Sequence, residues 1–494
     1  MAVLSIDAGT TGVTVMLVDE RGDVVGRGYR EFPQSFPRPG WVEHDPEAWW
    51  AATVTAATEA LRGRSPEGVA AVGITNQRET TVLWERDTLR PVHPAIVWQD
   101  RRTAGMCEEL IAEGWTDRVR ERTGLVIDPY FSGTKLSWVL DHVDGAHAAS
   151  ERGALAFGTV DSYLIARLTR GREHVSDHTN ASRTMLFDIR ALDWEPELMD
   201  RLGIPEALLP ETRPSSGRFG TVDPDAFLGI SAPICGVAGD QQAALVGQAC
   251  FGAGDAKNTY GTGSFVLLNT GTEAPRAPGL LTTVAYSDPE GVRYALEGSI
   301  FVTGAALQWL RDGLGLIASA PEAGPLAGSV PDAGGLYFVP ALTGLGAPWW
   351  DPYARGTIVG LTRGTTRAHL VRAAVEAMAY QTRDVVDAMI EGSGVRLAEL
   401  RVDGGASAMD VLLQLQADLL GVPVRRPAVA ETTALGAAFL AGLGAGVWSS
   451  KEEAAAAWTL DREFLPGDVD EADRRYRGWR RAVERSLRWE VDRA

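Results

Sequence analysis

Val3-Leu4-Ser5-Ile6-Asp7-Ala8-Gly9-Thr10-Thr11-Gly12 opens the chain, and Asn258-Thr259-Tyr260-Gly261-Thr262-Gly263-Ser264-Phe265 repeats its design near the middle. Each puts a Gly-Thr turn between two apolar runs of strand period. Glycine lets backbone N–H groups approach a phosphate closely, and threonine adds a hydroxyl donor. One such turn is an ordinary hairpin; its recurrence in matched context points to a phosphate grip used twice. A returning strand is predicted after each copy. In the first, strand 13–18 turns at Glu20-Arg21-Gly22-Asp23 into strand 24–29. In the second, 265–268 is predicted to pair with 282–286. The duplication predicts two similar domains with nucleotide between them, an ATP-dependent machine or a kinase.

The length of 494 residues and the 45% hydrophobic content allow two large packed domains. A net charge of −18 argues against nucleic acid or an anionic membrane as principal partner. It leaves room for a small neutral substrate, and for ATP held by local amides, hydroxyls and magnesium. Cys107, Cys235 and Cys250 are few and far apart, the pattern of reduced structural thiols without zinc spacing. Asp7 interrupts the short apolar run at the start and no basic region precedes it, so a cytoplasmic protein without a signal peptide is expected. The uncharged stretch 432–450 is rich in Gly and Ala and too short for a comfortable membrane span; it predicts a packed helix over 432–443.

A domain boundary is expected in the glycine-rich stretch 247–254, giving an N-terminal domain over 1–249 and a C-terminal one over 250–494. Apolar spacing predicts a helix over 368–389, ended by Gly392. A strand at 400–402, the turn Asp403-Gly404-Gly405-Ala406 and a helix over 409–420 follow. That combination is a third candidate nucleotide contact, because a helix N-terminus presents free N–H groups.

Three polar clusters follow apolar runs. Gly236-Val237-Ala238-Gly239-Asp240-Gln241-Gln242 sets an acid at a strand end, where phosphoryl transfer to an alcohol needs a base; the alternative is that Asp240 only caps the next helix. Thr75-Asn76-Gln77-Arg78-Glu79-Thr80-Thr81 is expensive to bury unless it binds something. Arg78 and Glu79 offer an adjacent donor and acceptor for polyol hydroxyls; the alternative is a surface ion pair. In Ala95-Ile96-Val97-Trp98-Gln99-Asp100, Trp98 either walls a small site or packs in the core.

With these residues in view, the chain resembles the glycerol kinases of the FGGY carbohydrate-kinase family over nearly its full length. The specific blocks are Pro39-Gly40-Trp41-Val42-Glu43-His44-Asp45-Pro46, Gly73-Ile74-Thr75-Asn76-Gln77-Arg78-Glu79-Thr80 and Thr123-Gly124-Leu125-Val126-Ile127-Asp128-Pro129-Tyr130-Phe131-Ser132. Thr179-Asn180-Ala181-Ser182-Arg183-Thr184, Lys257-Asn258-Thr259-Tyr260-Gly261-Thr262-Gly263 and Gly344-Leu345-Gly346-Ala347-Pro348 complete the set. The resemblance implies an α/β fold of two ribonuclease-H-like, actin/hexokinase-like ATPase domains closing on ATP. It implies Asp240 as general base, and Arg78, Glu79, Tyr130 and Gln241 on the glycerol hydroxyls. Trp98 and Phe265 would wall the glycerol carbons. Thr10, Thr11, Gly12 and Thr262 would meet phosphates, Asp7 would hold Mg2+ through water, and Gly304, Gln308, Gly405 and Met409 would meet the nucleotide. A homodimer or homotetramer is expected.

The departures lie on the nucleotide side. Family members commonly read Asp-Gln-Gly-Thr-Thr-Ser-Ser-Arg at the first turn; here Ala8 replaces the glutamine, Gly12 the first serine and Thr14 the arginine. Met409 stands where many members have an asparagine against adenine. The segment 223–233 lacks the glycine-rich, arginine-bearing loop through which some relatives bind fructose 1,6-bisphosphate. The expected activity is transfer of the ATP γ-phosphoryl group to glycerol. Alternatives are a kinase for another small polyol or ketose, an actin-like ATPase without a small acceptor, and a silent glycerol-sensing relative.

Overall fold

Val3, Leu4, Ser5 and Ile6 are all fully buried. Successive strand side chains point to opposite faces, so this strand has core on both sides and sits inside a sheet. The computed structural model describes residues 1–490. Its first large sheet contains β1 (Ala2–Ala8), β2 (Gly12–Asp19), β3 (Val24–Glu31), β4 (Val69–Asn76), β5 (Ser216–Thr221) and β6 (Pro233–Gly239), in the order β5-β6-β4-β1-β2-β3. β1, β2 and β3 form an antiparallel meander, β4 and β6 run parallel to β1, and β5 closes the edge antiparallel.

The second half repeats this plan. Its sheet contains β7 (Asp255–Tyr260), β8 (Ser264–Gly271), β9 (Leu281–Asp288), β10 (Gly291–Ile300), β11 (Glu399–Asp403), β12 (Val424–Pro427) and β13 (Leu460–Phe464), ordered β9-β10-β8-β7-β11-β12-β13. β7, β8 and β10 form the meander, β11 and β12 are parallel to β7 and to each other in turn, and β13 closes antiparallel. The two sheets thus share strand order and direction, the duplication that the Gly-Thr turns announce.

One predicted pairing is wrong. Residues 282–286 do not pair with 265–268. The strand beside β8 is β10, and β9 lies outside it, paired only to β10. Two consecutive strands of similar length and apolar content follow the turn, and the long connection 272–280 carries the first of them past the slot. The stop at Gly392 is also wrong. Its helix runs Arg367–Ser393 and ends at Gly394, which holds the left-handed φ of 70°. Gly392 is a packing glycine, since a Cβ there would stand 2.3 Å from the Ala277 Cβ.

Helices cover the sheets. α1 (Pro46–Ala60) begins at Asp45, whose side chain accepts from the Glu47 N–H, and lies over Gly26 and Gly28 of β3. α2 (Asp240–Gly247) follows β6, α3 (Gly304–Asp312) follows β10, and α4 (Arg367–Ser393) and α5 (Asp410–Leu420) pack together in the second half. The uncharged stretch is α6 (Thr432–Ala445), as its composition predicts. It crosses back onto the first half. A Cβ at Gly436 would meet the Ala243 carbonyl at 1.8 Å, one at Gly247 the Thr432 carbonyl at 1.9 Å, and one at Gly73 the Ala437 carbonyl at 2.2 Å. Small residues therefore let α6 lie backbone-close on α2, β4 and β6. The surrounding apolar cluster draws Val3, Met16 and Cys235 from one half and Leu267, Ala295 and Phe439 from the other. Among the described residues no helix is long and apolar enough to cross a membrane, and the three cysteines are buried and unpaired.

Candidate active site

β1, β4 and β6 are parallel, so their carboxyl ends emerge side by side, with Asp7 opposite Thr75 and Asn76 opposite Gly239. Ligands of open α/β sheets bind outside such ends. Asp240 follows β6 as the first residue of α2, with Gly239 as N-cap. Its Oδ1 accepts from the Gln241 N–H at 2.7 Å and lies 3.3 Å from Arg78 Nε. Among the described residues, both of these contacts fall on Oδ1 and neither on Oδ2. Asp240 is thus the first helical residue, not the N-cap, and its side chain accepts only from the next N–H. Burial raises its pKa above the ordinary carboxylate range, while the nearby Arg78 and Lys257 cations pull it back. Asp7 is pushed up to about 7, by burial first and by the charge of Asp240 second.

The polar stretch after β4 is buried, not a surface ion pair: Arg78 and Glu79 are 2% and 1% exposed. Arg78 Nη2 donates to Tyr130 Oη at 3.4 Å, and its guanidinium sits 6.0 Å from the Phe265 ring centre. Trp98 is edge-on to Tyr130 at 5.6 Å and donates Nε1–H to Thr10 Oγ1 at 3.0 Å. That bond ties the polyol pocket to the first Gly-Thr turn. Gln241 accepts from Lys257 Nζ. Arg78, Glu79, Trp98, Tyr130, Asp240, Gln241 and Phe265 are all brought together.

Gln77 and Gln34 brace the first turn by donating to the Gly9 and Thr10 carbonyls at 3.1 and 2.9 Å. Thr11 is exposed at its tip. Gly12 is required by packing, because a Cβ would lie 2.7 Å from Tyr29 Oη and 2.9 Å from the Arg30 carbonyl. The second turn is braced by the start of α3: the N–H groups of Thr303, Gly304 and Ala305 donate to the carbonyls of Gly261 and Thr262. Gly304 is glycine because the Gly261 carbonyl would stand 2.5 Å from its Cβ. Thr262, Gly304, Gln308, Gly405 and Met409 line one cavity of about 850 Å³, walled also by Leu307, Pro321 and Pro325. Gly404 holds φ 83° with its α-carbon against the Tyr260 carbonyl, so the third loop must be glycine there.

No group of three or more His, Cys, Asp or Glu forms a metal set among the described residues. Magnesium needs less. It keeps several waters and takes one or two carboxylates plus substrate phosphates. Asp7 fits, being partly buried beside a second carboxylate and in none of the ion pairs of the described residues.

Several residues that hold the pocket together lie outside the sequence motifs or carry no role there. Glu297 on β10 binds both guanidiniums behind the pocket: Arg78 Nη1 donates to Oε2, and Arg78 Nη2 and Arg183 Nη2 donate to Oε1 at 3.1 and 2.9 Å. Arg183 Nε donates to Glu79 Oε1 at 2.6 Å. Lys135 Nζ donates to the Phe131 carbonyl at 3.1 Å and to that of Tyr130, fixing the Tyr130 loop. One signal was available: Glu297 is the only charged residue between Arg293 and Arg311.

The duplicated α/β fold, with the acid Asp240 just past the carboxyl end of β6, is a two-domain kinase architecture. The chain belongs to the FGGY family of carbohydrate kinases: the family's N-terminal domain profile matches residues 2–247 and its C-terminal profile residues 256–445. It is 56% identical over 494 residues to the glycerol kinase of Carboxydothermus hydrogenoformans, covering 99% of each chain. It is 57% identical over 494 residues to that of Symbiobacterium thermophilum, again covering 99% of each. Among solved structures, the glycerol kinase of Plasmodium falciparum with ADP matches with a TM-score of 0.93 at 34% identity, over 98% of both chains. A xylulose kinase from Brucella ovis matches with a TM-score of 0.87 at 27% identity, over 98% of this chain and 100% of that one.

Proposed function

We propose that this chain transfers the γ-phosphoryl group of ATP to glycerol, giving sn-glycerol 3-phosphate and ADP as the first step of glycerol catabolism. The observation that carries this is the pocket in which Asp240, Arg78 and Glu79 meet under the rings of Trp98, Tyr130 and Phe265. A small triol matches it: three hydroxyls for one arginine, two carboxylates and an amide, with a short carbon chain for the aromatic faces. Full-length relatives named glycerol kinase, at 56% and 57% identity, support the same substrate.

Asp240 accepts the proton of the attacking hydroxyl through Oδ2, while the Gln241 N–H holds Oδ1 in place. Burial raises its pKa, which makes the carboxylate a stronger proton acceptor than an exposed aspartate. Arg78 and Glu79 orient the other hydroxyls. The turns at Thr10, Thr11 and Thr262 receive the phosphates, and Met409 and Gly405 border the base. Asp7 would hold Mg2+, which would supply charge neutralisation on the phosphates when bound. Closure of the halves excludes water and limits futile hydrolysis. We place the domain boundary at 249/250, in the loop between α2 and β7. The test is coupled ADP release with glycerol, dihydroxyacetone, erythritol and xylulose in turn. Glycerol must give the highest kcat/KM; a four- or five-carbon acceptor in first place would reassign the substrate.

A further inference from the structure

Four fully buried charges stand behind the polyol pocket: Arg78, Glu79, Arg183 and Glu297. Three belong to the first half. Glu297 alone comes from the second, from β10 between β8 and β9, where it is paired with Leu267 and Leu281. Buried ion clusters are weak evidence of stability, since desolvation offsets much of the attraction. Their firmer consequence is orientation.

Arg78 shows how orientation is imposed. Its two terminal nitrogens both donate to Glu297, a fork that fixes the plane of the guanidinium. With the plane fixed, Nε faces Asp240 at 3.3 Å and Nη2 also reaches Tyr130 Oη at 3.4 Å, the two groups that border the substrate. Glu297 holds Glu79 as well, through Arg183, which donates to both carboxylates. Glu79 needs such support. Its φ of 59° lies in the left-handed region, which a non-glycine residue keeps only when its surroundings over-determine it. The paired cations also hold the Glu297 carboxyl at about 2 although burial alone pushes it up, so it stays ionised at working pH.

We propose that Glu297 is a positioning residue for the polyol, aiming Arg78 and Glu79 from the opposite half of the protein and so making polyol affinity depend on how the halves sit together. Glu297 does not touch the substrate; it acts through two arginines. This rests on the reading of the pocket as a glycerol site.

The experiment is a double-mutant cycle of Glu297→Gln and Arg78→Ala, reading glycerol KM, ATP KM and kcat. Glu297→Gln is expected to raise glycerol KM about 30-fold, the low end for truncating one partner of a buried charge pair, with ATP KM within about threefold of wild type. In the Arg78→Ala background the same change is expected to raise glycerol KM by clearly less than about 30-fold, because only the route through Arg183 to Glu79 is left. A general structural defect would instead move both KM values and add fully in the double variant, and that result overturns the proposal. So does a glycerol KM unmoved by Glu297→Gln while the wild type turns over glycerol. A wild type without glycerol-dependent ADP release would overturn the pocket reading along with it. Should Glu297→Gln fail to fold, Glu297→Asp replaces it in the cycle; it keeps the charge, withdraws it by one methylene, and must still raise glycerol KM alone.

Discussion

Asp240→Asn separates chemistry from binding more cleanly than any other change in the cleft. The amide retains an acceptor for the Gln241 N–H, so that contact in the first turn of α2 is kept. Arg78 keeps its fork on Glu297 and its contact with Tyr130, so the polyol pocket keeps its shape. What disappears is the proton acceptor. A positioned base is worth roughly 10² to 10⁴ in rate, which is about 2.7 to 5.4 kcal/mol at 1.36 kcal/mol per decade. Losing the charge beside Arg78 Nε weakens one long contact of 3.3 Å, so glycerol KM is expected to change by about threefold at most, roughly 0.6 kcal/mol. The assay is steady-state ADP release with glycerol and ATP varied independently. It extends to pH. Burial raises the Asp240 pKa, and the base works only when ionised, so the wild-type rate should fall as pH drops through that raised value, above the ordinary aspartate range. The limb should vanish with the carboxylate. Near-normal kcat in the asparagine variant, or an unaltered acid limb, would refute the base assignment and leave Asp240 as an acid of the first helical turn.

Met409 stands at the base cavity with its side chain against Gly324, while both oxygens of Asp410 are taken by Arg426 and Arg462 at 3.0 and 2.5 Å. A thioether accepts only weakly, so GTP and ITP should be used with less discrimination than in relatives carrying asparagine; Met409→Asn should shift kcat/KM toward ATP, and an unmoved preference would remove Met409 from base selection. Gly247→Ala drives a Cβ to within 1.9 Å of the Thr432 carbonyl, and overpacking of this kind is expected to destabilise by about 1–3 kcal/mol or more; a melting temperature equal to wild type would show that the α2–α6 seam yields. Fructose 1,6-bisphosphate should not inhibit through 223–233. The arginines that approach this loop, Arg172 and Arg170, are paired to Asp223 and Asp225 at 2.7 and 3.6 Å. Saturable inhibition at constant ionic strength, lost on changing only that loop, would contradict this.

Local features were the legible ones. The Gly9–Gly12 and Gly261–Gly263 turns were readable because hairpin strands lie next to each other in sequence, so their apolar period shows directly. The partner of β8 was not: choosing between 281–288 and 291–300 requires knowing which of two similar strands fills the slot, and that is decided by the sheet. The polyol side was legible where polar residues cluster, as in 75–81, whose total burial turned an ambiguous ion pair into a site. Glu297 looked like one polar residue in a strand, because its partners lie more than a hundred residues away in sequence, at Arg78 and Arg183. The stop at Gly392 failed for a related reason: glycine ends a helix or lets a neighbour close in, and only the presence of Ala277 distinguishes the two.

The close seam between α2 and α6 links the acid of one half to the third loop of the other. Asp240 and Gly247 are the two ends of one eight-residue helix, a strut about 12 Å long at 1.5 Å per residue. Gly247 is seated directly on the Thr432 backbone, with no side chain between to cushion a displacement. Thr432 in turn donates its hydroxyl to Asp403 at 2.5 Å, at the root of the third loop. α2 therefore joins the Thr432 backbone contact to Asp240 with no loop between them. One helix, one seated contact and one hydrogen bond connect the acid after β6 to the strand end that carries the third loop.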